Sequence, residues 1–181
     1  MKLLVIGQTG QVARSLVERA EGRFDVVAIG RPELDLTNGA SIRAAVDRKR
    51  PDLVINAAAY TAVDKAESDE AEAFAINATG PSLLAKICKA NDIPLVHYST
   101  DYVYDGSKPD AYVENDPTSP LGVYGRSKLA GEQGVAAETP DHLILRTAWV
   151  YSPFGNNFAK TMLRLAGDRD ELNIVADQWG C

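Results

Sequence analysis

Short apolar runs alternate along the chain with longer segments in which apolar residues recur every three or four positions. The short runs predict buried strands, and the longer spacing predicts amphipathic helices. This alternation indicates an α/β fold, a doubly wound parallel sheet with helices on both faces. The predicted strands are residues 3–6, 26–29, 53–55, 93–98, 143–145 and 172–175, and the predicted helices are residues 11–20, 40–48, 68–90, 123–137 and 158–166.

Local signals refine two of these helices. Asn38 stands immediately before the second helix, where its side chain can accept a bond from a free backbone N–H group, so we expect it to cap that helix. The third helix contains Gly80-Pro81, and proline cannot donate the backbone bond that a continuous helix requires. We therefore expect a break inside that helix.

Composition and charge narrow the classes of protein. The 181 residues are 45% hydrophobic, which suits one domain with its own core. Twenty-five acidic against 19 basic residues give a net charge of −6, which argues against a nucleic-acid-binding protein. The apolar start of the chain is too short for a secretory signal or a membrane span. Cys88 and Cys181 alone build neither a disulfide framework nor a zinc site, so a cytoplasmic location is expected.

One connection, residues 100–122, is rich in Asp, Pro, Gly and Tyr and is unusually long for a compact domain. Connections of this length are usually either functional or disordered. Because this one follows the carboxyl end of a predicted strand, where doubly wound folds bind their ligands, we predict that it is functional.

A glycine turn links the first predicted strand to the first helix with the spacing GxxGxxA over residues 7–13. Gly7 allows a tight turn, Gly10 lets the backbone approach a pyrophosphate, and Ala13 lets the helix lie close to the sheet. Free N–H groups at the start of the helix would hold the phosphates. The turn predicts a dinucleotide site of Rossmann type, and an ordinary strand–helix turn is the alternative.

The end of the second strand bears on which dinucleotide binds. Many such sites place an acid there to bind the ribose 2′-hydroxyl. Here Gly30 holds that position and Arg31 follows, so Arg31 could meet a 2′-phosphate and favour NADPH over NADH. A solvated loop arginine is the alternative. Asp35 and Leu36 could flank the adenine, and the small side chains of residues 57–59 would suit backbone close to a cofactor.

Two tyrosine–lysine pairs with YxxxK spacing occur, Tyr124/Lys128 and Tyr104/Lys108. The second pair holds Asp-Gly and precedes a proline, so it is turn-like. Tyr124 and Lys128 start a helical segment and share one face, which lets both side chains reach one place. Carbonyl reduction needs a hydride on carbon and a proton on oxygen. A nearby ammonium lowers the pKa of a tyrosine from about 10 and makes it a usable general acid or base.

A third hydroxyl should hold the carbonyl oxygen, and Ser99 and Thr100 end the fourth predicted strand. Side chains alternate along a strand, so we expect only one of the two to face the site. We place this pair beside a crevice between the first and fourth strands.

These motifs together resemble the extended short-chain dehydrogenases/reductases, and among them the dTDP-4-dehydrorhamnose reductase family. The resemblance covers the whole chain and rests on residues 7–13, 56–59, 62–67, 99–104, 124–128, 145–151 and 156–162. It implies the reduction of dTDP-4-dehydro-L-rhamnose to dTDP-L-rhamnose with NADPH or NADH, a step of nucleotide-sugar biosynthesis.

The resemblance also implies residue roles. Tyr124 would donate the proton, Lys128 would lower its pKa and bind the nicotinamide ribose, and Thr100 would bond to the substrate carbonyl oxygen. Further contacts with the sugar nucleotide are implied for Asp101, Tyr102, Trp149 and Asn157. The implied cofactor contacts, beside Lys128, are Gly7, Gly10, Gln11, Val12, Asp35, Leu36, Ala57, Ala58, Ala59 and Tyr60.

The chain departs from the family pattern in three places. Gly30 stands where some relatives carry an acid, which leaves the choice between NADH and NADPH open. Some relatives hold Mg²⁺ at a dimer interface with acidic side chains, but Ser15 stands on the first helix here, so Mg²⁺ is uncertain and we assign no metal residue. Family chains continue past Cys181 with a substrate-binding portion on the order of 100 residues. Residues 1–181 are therefore expected to be the NAD(P)-binding domain of such a reductase, without its substrate domain and with a homodimer possible.

Two other functions use the same fold. One is a regulatory subunit that binds NADP without turnover, and the other is an epimerase or dehydratase that acts on another nucleotide sugar. Thr100, Tyr124 and Lys128 favour an enzyme, because binding alone does not need a proton donor. Dehydratases usually carry an Asp-Glu pair after the threonine, whereas Asp101-Tyr102 follows it here.

Overall fold

A computed structural model describes residues 1–175 of the chain. Five parallel strands form one sheet in the order β2-β1-β3-β4-β5. The strands are β1 (Lys2–Ile6), β2 (Asp25–Ile29), β3 (Leu53–Asn56), β4 (Leu95–Thr100) and β5 (His142–Thr147). The helices are α1 (Gln11–Ala20), α2 (Gly39–Lys49), α3 (Val63–Ala66), α4 (Glu70–Phe74), α5 (Gly80–Ala90), α6 (Val123–Glu138) and α7 (Phe158–Asp168). A π-helical segment (Ala75–Thr79) and a 3-10 turn (Asp101–Val103) complete the regular structure.

The alternation of side chains along β1 divides the core into two halves. Leu4 and Ile6 lie in a larger cluster with buried residues of α2, α5 and α6. Leu3 and Val5 point to the opposite face, where Ala13 of α1 packs against the sheet. The predicted parallel α/β architecture is therefore confirmed, with β1 buried on both faces as its continuous apolar run indicates.

Two sequence-based expectations about the strands are wrong. Residues 172–175 form no strand, and the side chains of Ile174 and Val175 are exposed, because a β-branched run becomes a strand only when a neighbouring backbone pairs with it. The crevice was expected between the first and fourth strands, but β3 lies between them. The strand order β2-β1-β3-β4-β5 reverses between β1 and β3, so the crevice lies there.

The helix predicted over residues 68–90 is continuous in its second half but widens into the π-helical segment before Gly80. Pro81 has no N–H group to bond to the carbonyl of Asn77, four residues earlier. That carbonyl faces α6, where a Cβ on Gly131 would overlap it. The expected break is thus a change of helical pitch, and it brings the middle of this helix against α6.

The remaining local predictions can be checked directly. Asn38 caps α2, because its Oδ1 accepts bonds from the backbone N–H groups of Ala40 and Ser41 at 3.0 and 3.2 Å. Cys88 is buried, and burial raises the pKa of its thiol to about 12. Cys181 lies outside the described residues. Within residues 1–175, no helix is both long and apolar enough to cross a membrane.

Candidate active site

The glycine turn lies at the carboxyl end of β1 and is built from backbone. Gly7 has a φ of +113°, which a residue with a side chain adopts only under strain, and a Cβ there would lie 3.2 Å from the backbone of Ala57. Gly10 is the residue before α1, and no side chain caps that end of the helix. A Cβ on Gly10 would meet no atom within 4 Å, so the space above the helix start is open. Uncapped N–H groups facing open space are suited to a phosphate.

A cavity of about 310 Å³ opens beside this turn, at the ends of β1, β2 and β3. Glycine, alanine and aliphatic side chains form most of its wall, so backbone is within reach of a bound molecule. The lining residues are Ile6, Gly7, Gln8, Thr9, Gly30, Arg31, Leu34, Leu36, Ala58, Ala59 and Ile76. The glycine cradle and this cavity fit a dinucleotide. Five of the twelve predicted cofactor residues therefore line this cavity: Gly7, Arg31, Leu36, Ala58 and Ala59.

Arg31 lies at the mouth of this cavity, but it already has a partner. Its Nε is 3.2 Å from a carboxylate oxygen of Asp35, and the Arg31 side chain is 60% exposed. The backbone N–H of Thr37 and then its hydroxyl hold the pKa of Asp35 below its usual range, with a smaller contribution from Arg31. Asp35 is therefore an anion beside the position where a 2′-phosphate would have to bind.

The floor of the site is the turn that follows β3. Asn56, fully buried, accepts a bond from the N–H of Ala58 at 3.3 Å and donates to Nδ1 of His97 at 3.0 Å. Burial lowers the pKa of His97 to about 3, so its ring is neutral, and His97 is a residue of the core. Asn77 bonds both the N–H and the carbonyl of Tyr60, at 2.8 and 3.0 Å. The Tyr60 hydroxyl itself donates to Asp69, so Tyr60 offers the site its backbone and not its phenol.

Tyr124 and Lys128 lie on α6 with side chains directed to the end of β4. Lys128 is 2% exposed and its Nζ donates to the carbonyl oxygen of Tyr98 at 2.6 Å. Burial lowers the pKa of Lys128 to about 8, and the carboxylate of Glu132 opposes that shift. Lys108, the lysine of the other pair, bonds to Asp116 at 2.6 Å within the long loop, so only Tyr124 and Lys128 share a helix.

The Tyr124 hydroxyl does not have the lowered pKa expected from the sequence. Burial raises its pKa, the neighbouring Thr100 hydroxyl opposes that shift, and the negative charge of Asp101 adds to it. Lys128 directs its bond to Tyr98 instead. The phenol is therefore protonated at neutral pH, and its transfer of that proton needs a nearby cation to stabilise the phenolate that forms.

The Thr100 hydroxyl lies next to this tyrosine, and the side chain of Ser99, the preceding residue of β4, points to the opposite face of the sheet. The Thr100 Oγ1 donates to Asp101 Oδ1 at 3.0 Å and accepts from the N–H of Tyr102 at 3.2 Å. The Ser99 hydroxyl is buried and has no hydrogen-bond partner among residues 1–175. The structure therefore groups Thr100, Tyr124 and Lys128 at one end of the sheet.

The four residues predicted to contact the sugar nucleotide lie in different places. Asp101 and Tyr102 belong to the 3-10 turn, and the Tyr102 ring meets the Tyr124 ring edge to face at 5.5 Å between centroids. Trp149 follows β5 and is half exposed, so it is not a core residue.

Asn157 lies beside the glycine turn instead. Its Nδ2 donates to Oε1 of Gln11 at 2.9 Å, and its Oδ1 caps α7. The Gln11 Oε1 also lies 3.0 Å from Oγ of Ser152. Both Asn157 side-chain groups are thus committed to protein contacts on the cofactor side of the site.

Several residues that build the site were not predicted. Ser127 donates to the carbonyl oxygen of Tyr124 at 2.7 Å and accepts from Asn77 at 3.0 Å, which ties α6 to the floor of the site. Glu132 pairs with Arg146 from β5 at 2.6 Å. The spacing of Glu132, one helical turn after Lys128, was a usable signal, whereas the partners of Asn77 and Arg146 are distant in sequence. Among residues 1–175, no group of three or more His, Cys, Asp or Glu side chains could hold a metal ion.

Comparison with known proteins adds to this geometry. The family model described as the RmlD substrate binding domain matches residues 1–181. A dTDP-4-dehydrorhamnose reductase of Sinorhizobium fredii is 50% identical over the whole chain, which spans only 61% of that protein's length. Two crystal structures of dTDP-4-dehydrorhamnose reductases superpose with a TM-score of 0.95 over 98% of this chain. The one from Clostridium acetobutylicum is 41% identical, with 64% of its length covered. The one from Bacillus anthracis, in complex with NADP, is 39% identical, with 63% covered.

Proposed function

We propose that the chain, which belongs to the dTDP-4-dehydrorhamnose reductase family, is the cofactor-binding part of an enzyme that reduces the 4-keto group of a dTDP-deoxysugar. The observation that carries this proposal is the grouping of Thr100 and Tyr124 above the buried Lys128, at the same sheet edge as the glycine turn. A binding protein would need the turn but not a protonated phenol.

Residues on two sides of the site would hold a nicotinamide dinucleotide. The N–H groups at the start of α1, with Gly7, Gly10, Gln11 and Val12, would bind the pyrophosphate. Leu36 and the turn Ala57–Ala59 would line the adenosine half, since Leu36, Ala58 and Ala59 face the cavity. When bound in its reduced form, the dinucleotide supplies a hydride to the carbonyl carbon of the substrate.

The protein's own residues supply the proton. As the carbonyl oxygen gains electron density, Tyr124 transfers its phenolic proton to that oxygen, and an alcohol and a phenolate result. Thr100 lies next to the Tyr124 hydroxyl and would bond to the same oxygen. The Lys128 ammonium, which is buried on α6 one helical turn after Tyr124, would stabilise the phenolate and bond to the nicotinamide ribose hydroxyls. The raised pKa of Tyr124 keeps the donor protonated before the reaction.

We propose dTDP-4-dehydro-L-rhamnose as the substrate and dTDP-L-rhamnose as the product. The proposal is supported by the names of the relatives and by the chemistry of the site, which suits one carbonyl reduction. Asp101, Tyr102 and Trp149 would contact the sugar nucleotide. We retain a cytoplasmic location and a homodimer as predictions, together with the absence of a nucleic-acid partner.

The test is NADPH oxidation with dTDP-4-dehydro-L-rhamnose, followed at 340 nm on the 181-residue chain and on the full-length protein that contains it. We expect NADPH to bind to both and the full-length protein to turn over. Tight NADPH binding without turnover by the full-length protein would favour a regulatory subunit. Change at another sugar carbon without net NADPH consumption would favour an epimerase.

A further inference from the structure

The long connection between β4 and α6 is ordered around one tyrosine, Tyr104, which directly follows the 3-10 turn. Its hydroxyl accepts a bond from Nη1 of Arg146 at 2.5 Å and donates to the carbonyl oxygen of Val113 at 3.1 Å. Its ring stacks on Tyr112, with 4.1 Å between centroids and 13° between planes. Tyr104 therefore joins the loop to the body of the domain through one side chain.

Arg146 carries this link to α6. It lies on β5, and its Nε and Nη2 bond to the two carboxylate oxygens of Glu132 at 2.9 and 2.6 Å. Glu132 is only 5% exposed, and its hydrogen bonds hold the pKa of Arg146 above its usual range. A forked pair of this kind fixes the guanidinium plane, so the remaining Nη1 points in a set direction, toward Tyr104.

The other end of the same turn also rests on α6. Gly125 has no side chain, and a Cβ there would overlap the carbonyl oxygen of Tyr102. The ring of Tyr102 in turn meets the ring of Tyr124. The 3-10 turn is thus attached to one helix at two points, by close backbone packing at Gly125 and by the Tyr104–Arg146–Glu132 chain of bonds.

We propose that Tyr104 is a positioning residue that fixes the turn bearing Asp101 and Tyr102 relative to Tyr124, acting through Arg146 and Glu132. The proposal rests on the proposed function, because it assumes that this turn contacts the sugar nucleotide. It assigns a role to the second YxxxK tyrosine. That role is to place the sugar relative to the proton donor, while Tyr104 itself stays outside the reaction.

Tyr104→Phe is the sharpest variant, because it removes the hydroxyl and keeps the ring that stacks on Tyr112. Tyr112→Phe is its matched control: it is the same chemical change in the other stacked ring, whose hydroxyl bonds only Asp105 and the N–H of Lys108 within the loop. In the full-length protein, we expect Tyr104→Phe to raise KM for dTDP-4-dehydro-L-rhamnose about fivefold, with kcat and the NADPH Kd nearly unchanged. Tyr112→Phe should change KM by less than about twofold.

A second variant tests the route through Arg146. Arg146→Lys keeps the charge, but a single ammonium cannot hold both Glu132 oxygens and the Tyr104 hydroxyl in the same forked geometry. The effects of Tyr104→Phe and Arg146→Lys on KM should therefore overlap, so that the double variant is little worse than Arg146→Lys alone. If the rise in KM of the double variant equals the product of the two single rises, Tyr104 and Arg146 do not act through the same chain of hydrogen bonds.

Amide hydrogen exchange separates this inference from the proposed function. Tyr104→Phe should speed exchange over residues 101–104, and Tyr112→Phe should not. If the unmodified protein fails to reduce the sugar, the proposed function is wrong and the exchange comparison alone decides whether Tyr104 orders the turn. Equal exchange in the two variants, or an unchanged KM in Tyr104→Phe of an active enzyme, would overturn the positioning role.

Discussion

The two sides of the site are made in different ways. The cofactor side consists of backbone N–H groups, glycines and alanines around a cavity of about 310 Å³. The catalytic side consists of side chains, and Lys128, Thr100 and Ser127 are each no more than 5% exposed. A site made of backbone needs open space and a glycine with positive φ. A site made of buried side chains needs a hydrogen-bond partner for every polar group. Substitutions on the two sides should therefore impair ligand binding, stability or turnover for different physical reasons.

Tyr124→Phe should have the largest effect, because it removes the proposed proton donor and little else. General acid catalysis of this kind is worth about 10²–10⁴-fold, so kcat should fall within that range while the NADPH Kd stays unchanged. Steady-state kinetics on the full-length protein, with NADPH fluorescence titration, measure both quantities. Retention of most of the activity would remove Tyr124 from the mechanism.

Two glycine substitutions contrast the sides directly. Gly10→Ala should leave the melting temperature nearly unchanged, since its Cβ meets nothing within 4 Å, but should weaken NADPH binding about tenfold by occupying the space of the pyrophosphate. Gly131→Ala should instead cost several kcal/mol of unfolding free energy, about the cost of overpacking a rigid core, because its Cβ overlaps the Asn77 carbonyl.

Gly39→Ala is the control for both, because Gly39 starts α2 and its Cβ also meets nothing within 4 Å. Gly39→Ala should leave the NADPH Kd unchanged and should increase the stability only slightly. Thermal unfolding and NADPH titration of the three variants test the contrast. If Gly10→Ala lowers the melting temperature as much as Gly131→Ala does, the space around Gly10 is not open in the way that this contrast requires.

Lys128→Met should separate stability from function on the catalytic side. Burial lowers the pKa of Lys128 to about 8, so below that pH the folded state carries the cost of a buried charge. Between pH 8 and the unfolded value of 10.5, the unfolded chain binds more protons than the folded one, and stability rises with pH. Lys128→Met should remove this rise and increase stability at pH 7 by about 1–3 kcal/mol, while activity is lost.

Urea unfolding of both proteins between pH 6 and pH 10 measures this change. Lys86→Met is a suitable control, because it makes the same replacement on the surface of α5 and leaves Lys128 in place, so the rise in stability with pH should remain. Destabilisation of Lys128→Met at pH 7 would mean that the bond to Tyr98 outweighs the cost of burying the charge.

The contrast between a backbone site and a side-chain site also explains which features could be predicted from the sequence. Glycine spacing and apolar runs are local signals, so the turn at Gly7 and Gly10, the helix start at Asn38 and the five parallel strands were predictable. The side-chain network was not, because Asn77 and Ser127 are 50 residues apart in sequence, and only the folded chain brings them together. For the same reason, the direction of the Tyr124 pKa depends on burial, which a YxxxK pattern does not reveal.

Contacts that form only in the folded chain also decide two further features, the surroundings of Asn157 and the conformation of residues 172–175. The family resemblance implies that Asn157 contacts the sugar nucleotide, and in this structure both ends of its amide bond to Gln11, Ser152 and the start of α7. Residues 172–175 have the apolar character of a strand, but they pair with no strand among residues 1–175. The strand prediction was wrong because a local pattern does not supply the backbone partner that a strand needs.

The smallest change in ligand affinity is expected for substitution of Arg31. The two sides of the site differ in how exposed their ion pairs are. On the catalytic side Glu132 and Arg146 form a closed pair, with the Glu132 side chain 6% exposed, whereas Arg31 is 60% exposed and its pairing with Asp35 is open to solvent. A 2′-phosphate could therefore draw Arg31 from Asp35 at little cost. Arg31→Ala should weaken NADPH binding about threefold to tenfold and leave NADH binding unchanged.

Fluorescence titration with both dinucleotides gives the ratio of the two affinities, which is the quantity that Arg31 should alter. Arg48→Ala removes the same charge from a surface pair with Glu33 and should leave the ratio unchanged, which controls for net charge. Raising the salt concentration should reduce the difference between NADPH and NADH in the unmodified chain and have little effect in Arg31→Ala. An unchanged ratio in Arg31→Ala would mean that Asp35 keeps Arg31 and that this edge of the site does not select NADPH.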